Sequence, residues 1–142
     1  MNANVVLSGV GLWTPPYKIT NQELVESYNA WAEAYNKKHQ AEIEAGELTA
    51  KPFSSAEFIE KASGIKSRYI YRKEGALDIE RMRPKIPERG EGELSNQAEI
   101  AIEAAKLAMA DANKTAAEID AVIVSCAYTQ RSYPAIAIEV QN

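Results

Sequence analysis

With 142 residues, 46% of them hydrophobic and 25% charged, the chain has the size and composition of one globular domain, and it contains no apolar run near the roughly 18 residues a membrane span requires. A net charge of −4 and an isoelectric point near 5.1 argue against nucleic acid as a partner, because that surface would carry a basic excess. One cysteine and one histidine exclude an internal disulfide framework and a His/Cys zinc site, so no metal is expected.

The opening "MNANVVLSGVG" lacks a basic start and an extended apolar stretch, so no secretory signal is read and a cytoplasmic location is expected. Asn4–Gly11 reads as a short strand running into a turn at Gly9-Val10-Gly11, rather than as a dinucleotide loop. The third glycine of that motif is missing, and Pro15 and Pro16 stand where its helix would begin. "TPPYKI" reads as loop. Thr20 to Glu23 is a capping box that opens a helix with Leu24, Tyr28, Trp31 and Tyr35 along one face, an aromatic stripe read as packing. That helix is expected to fray through "NKKHQAEIEAGE", and residues 36–53 read as an insertion or extension.

A second capping box, Ser54 to Glu57, opens a shorter helix that Gly64 ends in a left-handed conformation. "IKSRYIYR" alternates as a strand does, with Ile65, Ser67, Tyr69 and Tyr71 on one face. Residues 73–94, with Pro84 and Pro87, read as a charged surface loop. Its run of Arg81, Arg83, Lys85 and Arg89, closed by Glu91 and Glu93, reads as solvated, with a phosphate or an acidic carrier as its functional alternative. Ser95 caps a third helix with Ile100, Ala101, Ala104, Leu107 and Ala108 on one face.

After a turn at Thr115–Glu118, "DAVIVSC" has the continuous apolar run of a strand buried on both faces. Cys126 therefore reads as a small buried hydrophobe and not as a nucleophile, which would need a helix N-terminus or a neighbouring cation. His39 lies in a polar stretch and reads as solvated. The final "RSYPAIAIEVQN" gathers apolar residues as a buried element does, and periodicity leaves strand and helix both open.

Several of these stretches together resemble the N-terminal part of β-ketoacyl-acyl-carrier-protein synthase III, a condensing enzyme of the thiolase superfamily. They are "LSGVGLWTPPYKITNQEL", "SSAEFIEKASGIKSRYI" and "SNQAEIAIEAAKLAMADANKTAAEIDAVIVSCAYTQRSYPAIAIEVQ". The resemblance implies an α/β fold, the N-terminal half of the thiolase-like layered architecture. It also implies that the chain stops before the catalytic cysteine, histidine and asparagine, and that "YPAIAIEVQN" is a helix.

The activity implied is decarboxylative condensation of an acyl-CoA primer with malonyl-acyl-carrier protein in fatty acid biosynthesis. Acyl-CoA and malonyl-carrier protein are substrates, with no covalently bound cofactor. The implied partners are a complementary chain carrying the rest of the fold, a second copy in a homodimer, and acyl carrier protein, with neither nucleic acid nor membrane. By the same resemblance Phe58 takes the place of a tryptophan that stacks on the adenine of coenzyme A, and Ser54 that of a threonine touching it. Ala62 stands where the family has a phosphate-facing arginine, with Lys61 beside it. Tyr133 matches an aromatic that crosses the dimer interface to line the partner's acyl pocket. The alternatives are a non-catalytic thiolase-fold partner, or a sister enzyme such as a hydroxymethylglutaryl-CoA, olefin or quinolone synthase.

Overall fold

The computed structural model describes residues 5–142 and has mixed α/β content. It divides into two compact units, one formed by Pro15–Pro87 and the other by the residues up to Thr14 together with Glu88–Asn142.

The first unit is built around a two-stranded antiparallel ribbon. Strand β1 (Tyr17–Thr20) pairs with β2 (Ser67–Ile70) in the register Tyr17↔Ile70 to Thr20↔Ser67. The loop expected over "TPPYKI" is thus half a strand. The prolines exclude helix and cannot donate to a ladder, but they end at Pro16, and Tyr, Ile and Thr beyond them favour the pleated conformation. β2 falls within the predicted "IKSRYIYR", although Tyr69 is exposed rather than facing a core.

Helix α1 (Asn21–Lys38) begins directly after β1 on the predicted capping box: the Glu23 N–H donates to Thr20 Oγ1 at 3.2 Å and the Thr20 N–H to Glu23 Oε2 at 2.9 Å. Lys73 also donates to the Glu23 carboxylate. With the Lys73 bond as the largest cause and the two Thr20 bonds next, the Glu23 pKa falls to about 2. The ribbon and α1 are tied at their junction by Asn21, whose N–H reaches Lys66 O at 3.2 Å and whose Nδ2 reaches Ile65 O at 2.6 Å. Ile19, Val25 and Ala32 form the buried centre.

The expected fraying does not occur. His39 caps α1, and α2 (Gln40–Glu44) follows at once. The rings of Tyr28, Trp31, Tyr35 and His39 stack in succession at centroid separations of 5.7, 5.5 and 4.5 Å, so the stripe runs one residue further than its sequence spacing suggested. His39 is therefore half-buried against Tyr35 rather than simply solvated. Helix α3 (Ala56–Ser63) ends at Gly64 in the left-handed region, φ 71°, as predicted. Its cap is Ser55, one residue later than expected: the Phe58 N–H donates to Ser55 Oγ at 3.0 Å.

In the second unit, α4 (Asn96–Asp111) starts on Ser95 as expected, and α5 (Ile136–Gln141) packs against it. The join is a buried polar one: Glu139 accepts from the Ser95 N–H at 2.8 Å and from Ser95 Oγ at 2.7 Å, while Ser95 Oγ accepts from the Ala98 N–H at 3.1 Å. Burial raises the Glu139 pKa, but the two Ser95 bonds and the nearby Arg131 charge outweigh it and leave the carboxyl below its usual range. Arg89 grips Glu99 with two bonds, 2.6 and 2.7 Å. The final element is thus a helix, but one-sided: Ile136 and Glu139 are buried, Ile138 about half exposed.

Gly9 and Gly11 form no turn. A Cβ on Gly9 would lie 2.6 Å from Ala108 O, and one on Gly11 would lie 2.2 Å from Ala104 O and 2.4 Å from Ala108 N. These glycines let the chain lie directly on the alanine face of α4, where residues two apart in an extended chain (roughly 6.6 Å) match helix positions four apart (roughly 6 Å). The Val10 N–H adds a bond to Asp111 Oδ2 at 3.0 Å.

Two expected strands are absent among the described residues. From Val5 to Gly11 no ladder forms, and Asn4 lies outside the described residues. Residues 119–127 likewise run without a partner. A strand needs a neighbour to take its N–H and C=O groups, and neither segment has one. Val5 and Ile123 are consequently 96% and 94% exposed, and Cys126 is exposed rather than buried.

Candidate functional site

The first unit carries a groove of about 790 Å³ between α1, α3 and the segment that joins them, lined by Leu24, Val25, Tyr28, Phe53, Phe58 and Met82 among others. Its walls are largely apolar, with Tyr28, Ser54 and Ser55 as the hydroxyl-bearing members. Phe58 is 66% exposed and Phe53 65%, so two aromatic rings stand open to a ligand instead of filling a core.

What holds the groove open is a pair of asparagines on α1. Asn29 Nδ2 donates to Ser54 O at 3.0 Å while its Oδ1 accepts from the Ser54 N–H at 2.9 Å. Two helical turns on, Asn36 does the same with Lys51, at 2.9 and 2.7 Å. Each amide takes the place a neighbouring strand would occupy, and together they pin residues 51–54 along α1 as a strap. The seven-residue spacing puts both on one face of the helix. Lys51 Nζ then lies 5.1 Å over the Tyr35 ring. Sequence reasoning missed this pair; its only trace was two asparagines seven apart on a helix otherwise marked by aromatic residues.

Of the residues singled out by sequence, Ser54 and Phe58 meet in the groove, Ser54 held by Asn29 and Phe58 on the first turn of α3. The Ser55 cap beside them also acts on Glu57, whose carboxyl is held below its usual range by its own N–H and the Ser55 hydroxyl. Lys61 is exposed on α3 and is not among the lining residues. Tyr133 belongs to the other unit and is 87% exposed. Just before it, residues 128–131 are fastened to the start of α4: the Asn96 N–H donates to Gln130 Oε1 at 2.9 Å, the Gln130 N–H to Gln97 Oε1 at 3.0 Å, and Gln97 Nε2 to Tyr128 O at 3.0 Å.

The charged loop is more ordered than its composition suggests. Residues 74–85 close on themselves: the Lys85 N–H donates to Glu74 O at 2.7 Å, Arg83 N–H to Gly75 O at 3.2 Å, and Met82 N–H to Asp78 O at 2.6 Å. Gly75 has φ 75°, and a Cβ there would come within 2.9 Å of Arg81, Arg83 and Lys85 atoms. Ser27 on α1 anchors the loop by donating to Leu77 O at 2.8 Å. Among the described residues, no group of three or more His, Cys, Asp or Glu side chains could hold a metal ion, and no helix is long and apolar enough to cross a membrane.

The groove is thus apolar and rimmed by aromatic rings, in a chain of mixed α/β content. By sequence the chain is similar to a β-ketoacyl-acyl-carrier-protein synthase. Over 117 residues, 82% of its length, it is 52% identical to the β-ketodecanoyl-[acyl-carrier-protein] synthase of Pseudomonas aeruginosa. It spans about a third of that relative, 33%. No family model matches the chain.

Proposed function

We propose that the chain serves as the N-terminal part of a type III β-ketoacyl-acyl-carrier-protein synthase, joining an acyl-CoA primer to malonyl-carrier protein in fatty acid biosynthesis. The observation that carries this reading is the 52% identity to a β-ketodecanoyl-carrier-protein synthase. In the reaction, a cysteine thiolate attacks the primer thioester and releases coenzyme A. Malonyl-carrier protein then loses carbon dioxide, and the resulting enolate attacks the acyl-enzyme carbonyl, giving the β-ketoacyl carrier and restoring the thiolate. Donors aimed at the developing oxyanion supply roughly 3–4 kcal/mol each. The cysteine, histidine and asparagine of this chemistry lie in sequence beyond this chain.

What this chain contributes is the wall of the substrate entrance. Coenzyme A lies in the groove, its adenine against Phe58, with Ser54 within reach and Lys61 on the same helix. Tyr133 belongs to the acyl pocket across a homodimer interface. The segments 5–11 and 119–127 become strands of a central layered sheet once a complementary portion supplies their neighbours. Their apolar exposure supports that reading, since few monomers leave so much uncovered.

The test is intact-mass spectrometry with N-terminal sequencing of all that co-purifies with the chain, followed by acyl-CoA labelling. A polypeptide continuing this sequence and bearing an acylated cysteine is the expected result. A chain that runs strictly alone, monodisperse and unlabelled, overturns the reading. Phe58→Ala is expected to weaken coenzyme A binding at least tenfold, and an unchanged affinity removes the groove assignment.

A further inference from the structure

The groove's lining includes one residue from the charged loop, Met82, and that residue is unusual in its backbone. It has φ 48°, in the left-handed region that residues other than glycine rarely adopt. The surrounding loop holds it there: the N–H groups on either side, of Arg81 and Arg83, are tied to Asp78 O at 3.1 Å and Gly75 O at 3.2 Å.

The residues flanking Met82 face a different hollow. Arg81 and Arg83 line it with Lys85, Asp78 and Glu80. The apolar groove and this charged hollow therefore meet at a single tripeptide, 81–83. Three cations and two carboxylates line the hollow, and Glu74 at its edge balances the cation it pairs with, leaving the two guanidinium groups as the donors for an anion. Asp78 already accepts from the Glu80 N–H at 2.9 Å, and Lys85 is paired with Glu74 at 3.1 Å. Arg81 spends only its Nε, on Arg83 O at 3.2 Å, and among the described residues neither guanidinium is paired with a carboxylate. The backbone that carries both guanidinium groups is already closed, so a ligand would have only the two side chains to order.

We propose that Arg81 and Arg83 form an anion subsite that receives the phosphates of a nucleotide-type ligand whose aromatic end lies in the groove against Phe58. This rests on the groove assignment made above. It moves the cationic end of the site from α3, where Lys61 lies outside the lining, to the loop at Met82. Met82 itself closes the apolar side, its thioether against the aromatic end of the ligand.

The experiment is equilibrium binding of two probes, coenzyme A and adenosine, to the intact protein and to the variants Arg81→Gln/Arg83→Gln, Arg83→Gln alone, and Phe58→Ala. The single variant keeps the Arg81 bond to the Arg83 carbonyl and so leaves the loop closed if the double variant does not. The expected result is a loss of roughly tenfold or more in coenzyme A affinity for the double variant, several-fold for Arg83→Gln, and a flatter salt dependence, with adenosine binding unchanged. Phe58→Ala should weaken both probes. If Phe58→Ala weakens both while the arginine variants bind coenzyme A normally, the loop subsite is wrong and the groove assignment stands. If Phe58→Ala changes neither, the groove assignment fails and the subsite with it.

Discussion

Replacing Asn29 by alanine removes both halves of one clamp, the 2.9 and 3.0 Å bonds that hold Ser54 to α1. A hydrogen bond of this kind contributes about 1 kcal/mol net, so the variant should lose about 2 kcal/mol of stability. Asn36→Ala, with bonds of 2.9 and 2.7 Å to Lys51, should lose the same. The two clamps hold one short strap, so releasing either frees part of what the other restrains. The double variant should lose about 3 kcal/mol instead of the additive 4, a coupling of about 1 kcal/mol. Urea denaturation of the wild type, both single variants and the double variant gives all four values. The same set should bind coenzyme A more weakly, since Ser54 and Phe53 move with the strap. Single variants within about 0.5 kcal/mol of the wild type would mean that water replaces the amides at no cost, and the clamp argument would fail.

Gly11→Ala should destabilise the second unit by about 3 kcal/mol, the upper end for overpacking, because its Cβ would meet Ala104 O at 2.2 Å and backbone cannot rotate away; thermal denaturation measures the loss. Glu139→Ala should cost about 3 kcal/mol by stranding the buried Ser95 N–H and hydroxyl, whereas Glu139→Gln, which keeps an acceptor, should recover part of it; a null effect of the alanine variant in denaturation would contradict the join described here. The folded-state pKa of Glu23 is about 2 against 4.5, so its contribution is complete above pH 4.5 and disappears as pH falls from there towards 2; Glu23→Gln should flatten that part of the stability profile in a pH series of melting temperatures.

Much of the local structure was legible in the sequence, because it depends on residues close together in the chain. The capping box at Thr20–Glu23, the serine at the head of α4 and the left-handed Gly64 each satisfy helix-end groups with a neighbour three or four positions away. The family likeness was legible for a related reason: the order and spacing of several ordinary stretches is itself sequence information, and the 52% identity to a β-ketodecanoyl-[acyl-carrier-protein] synthase agrees with it. Phe58 and Ser54 could be named as candidates from that likeness alone.

What needed the tertiary structure is whatever depends on distant partners. Apolar alternation in "NVVLSGVG" and "DAVIVSC" announces strands, yet a strand exists only where another backbone accepts its hydrogen bonds, and among the described residues neither segment finds one. The spacing Gly9-Val10-Gly11 looked like a turn, and only the proximity of Ala104 and Ala108, some hundred residues away, shows that the missing side chains make room for a helix. The asparagine clamps join α1 to positions 15 and 25 residues downstream, and Met82 enters a groove whose other walls begin at Leu24. Local caps and propensities are short-range and leave their mark in the sequence; a close approach or a shared groove is a property of two surfaces, and neither stretch of sequence records the other.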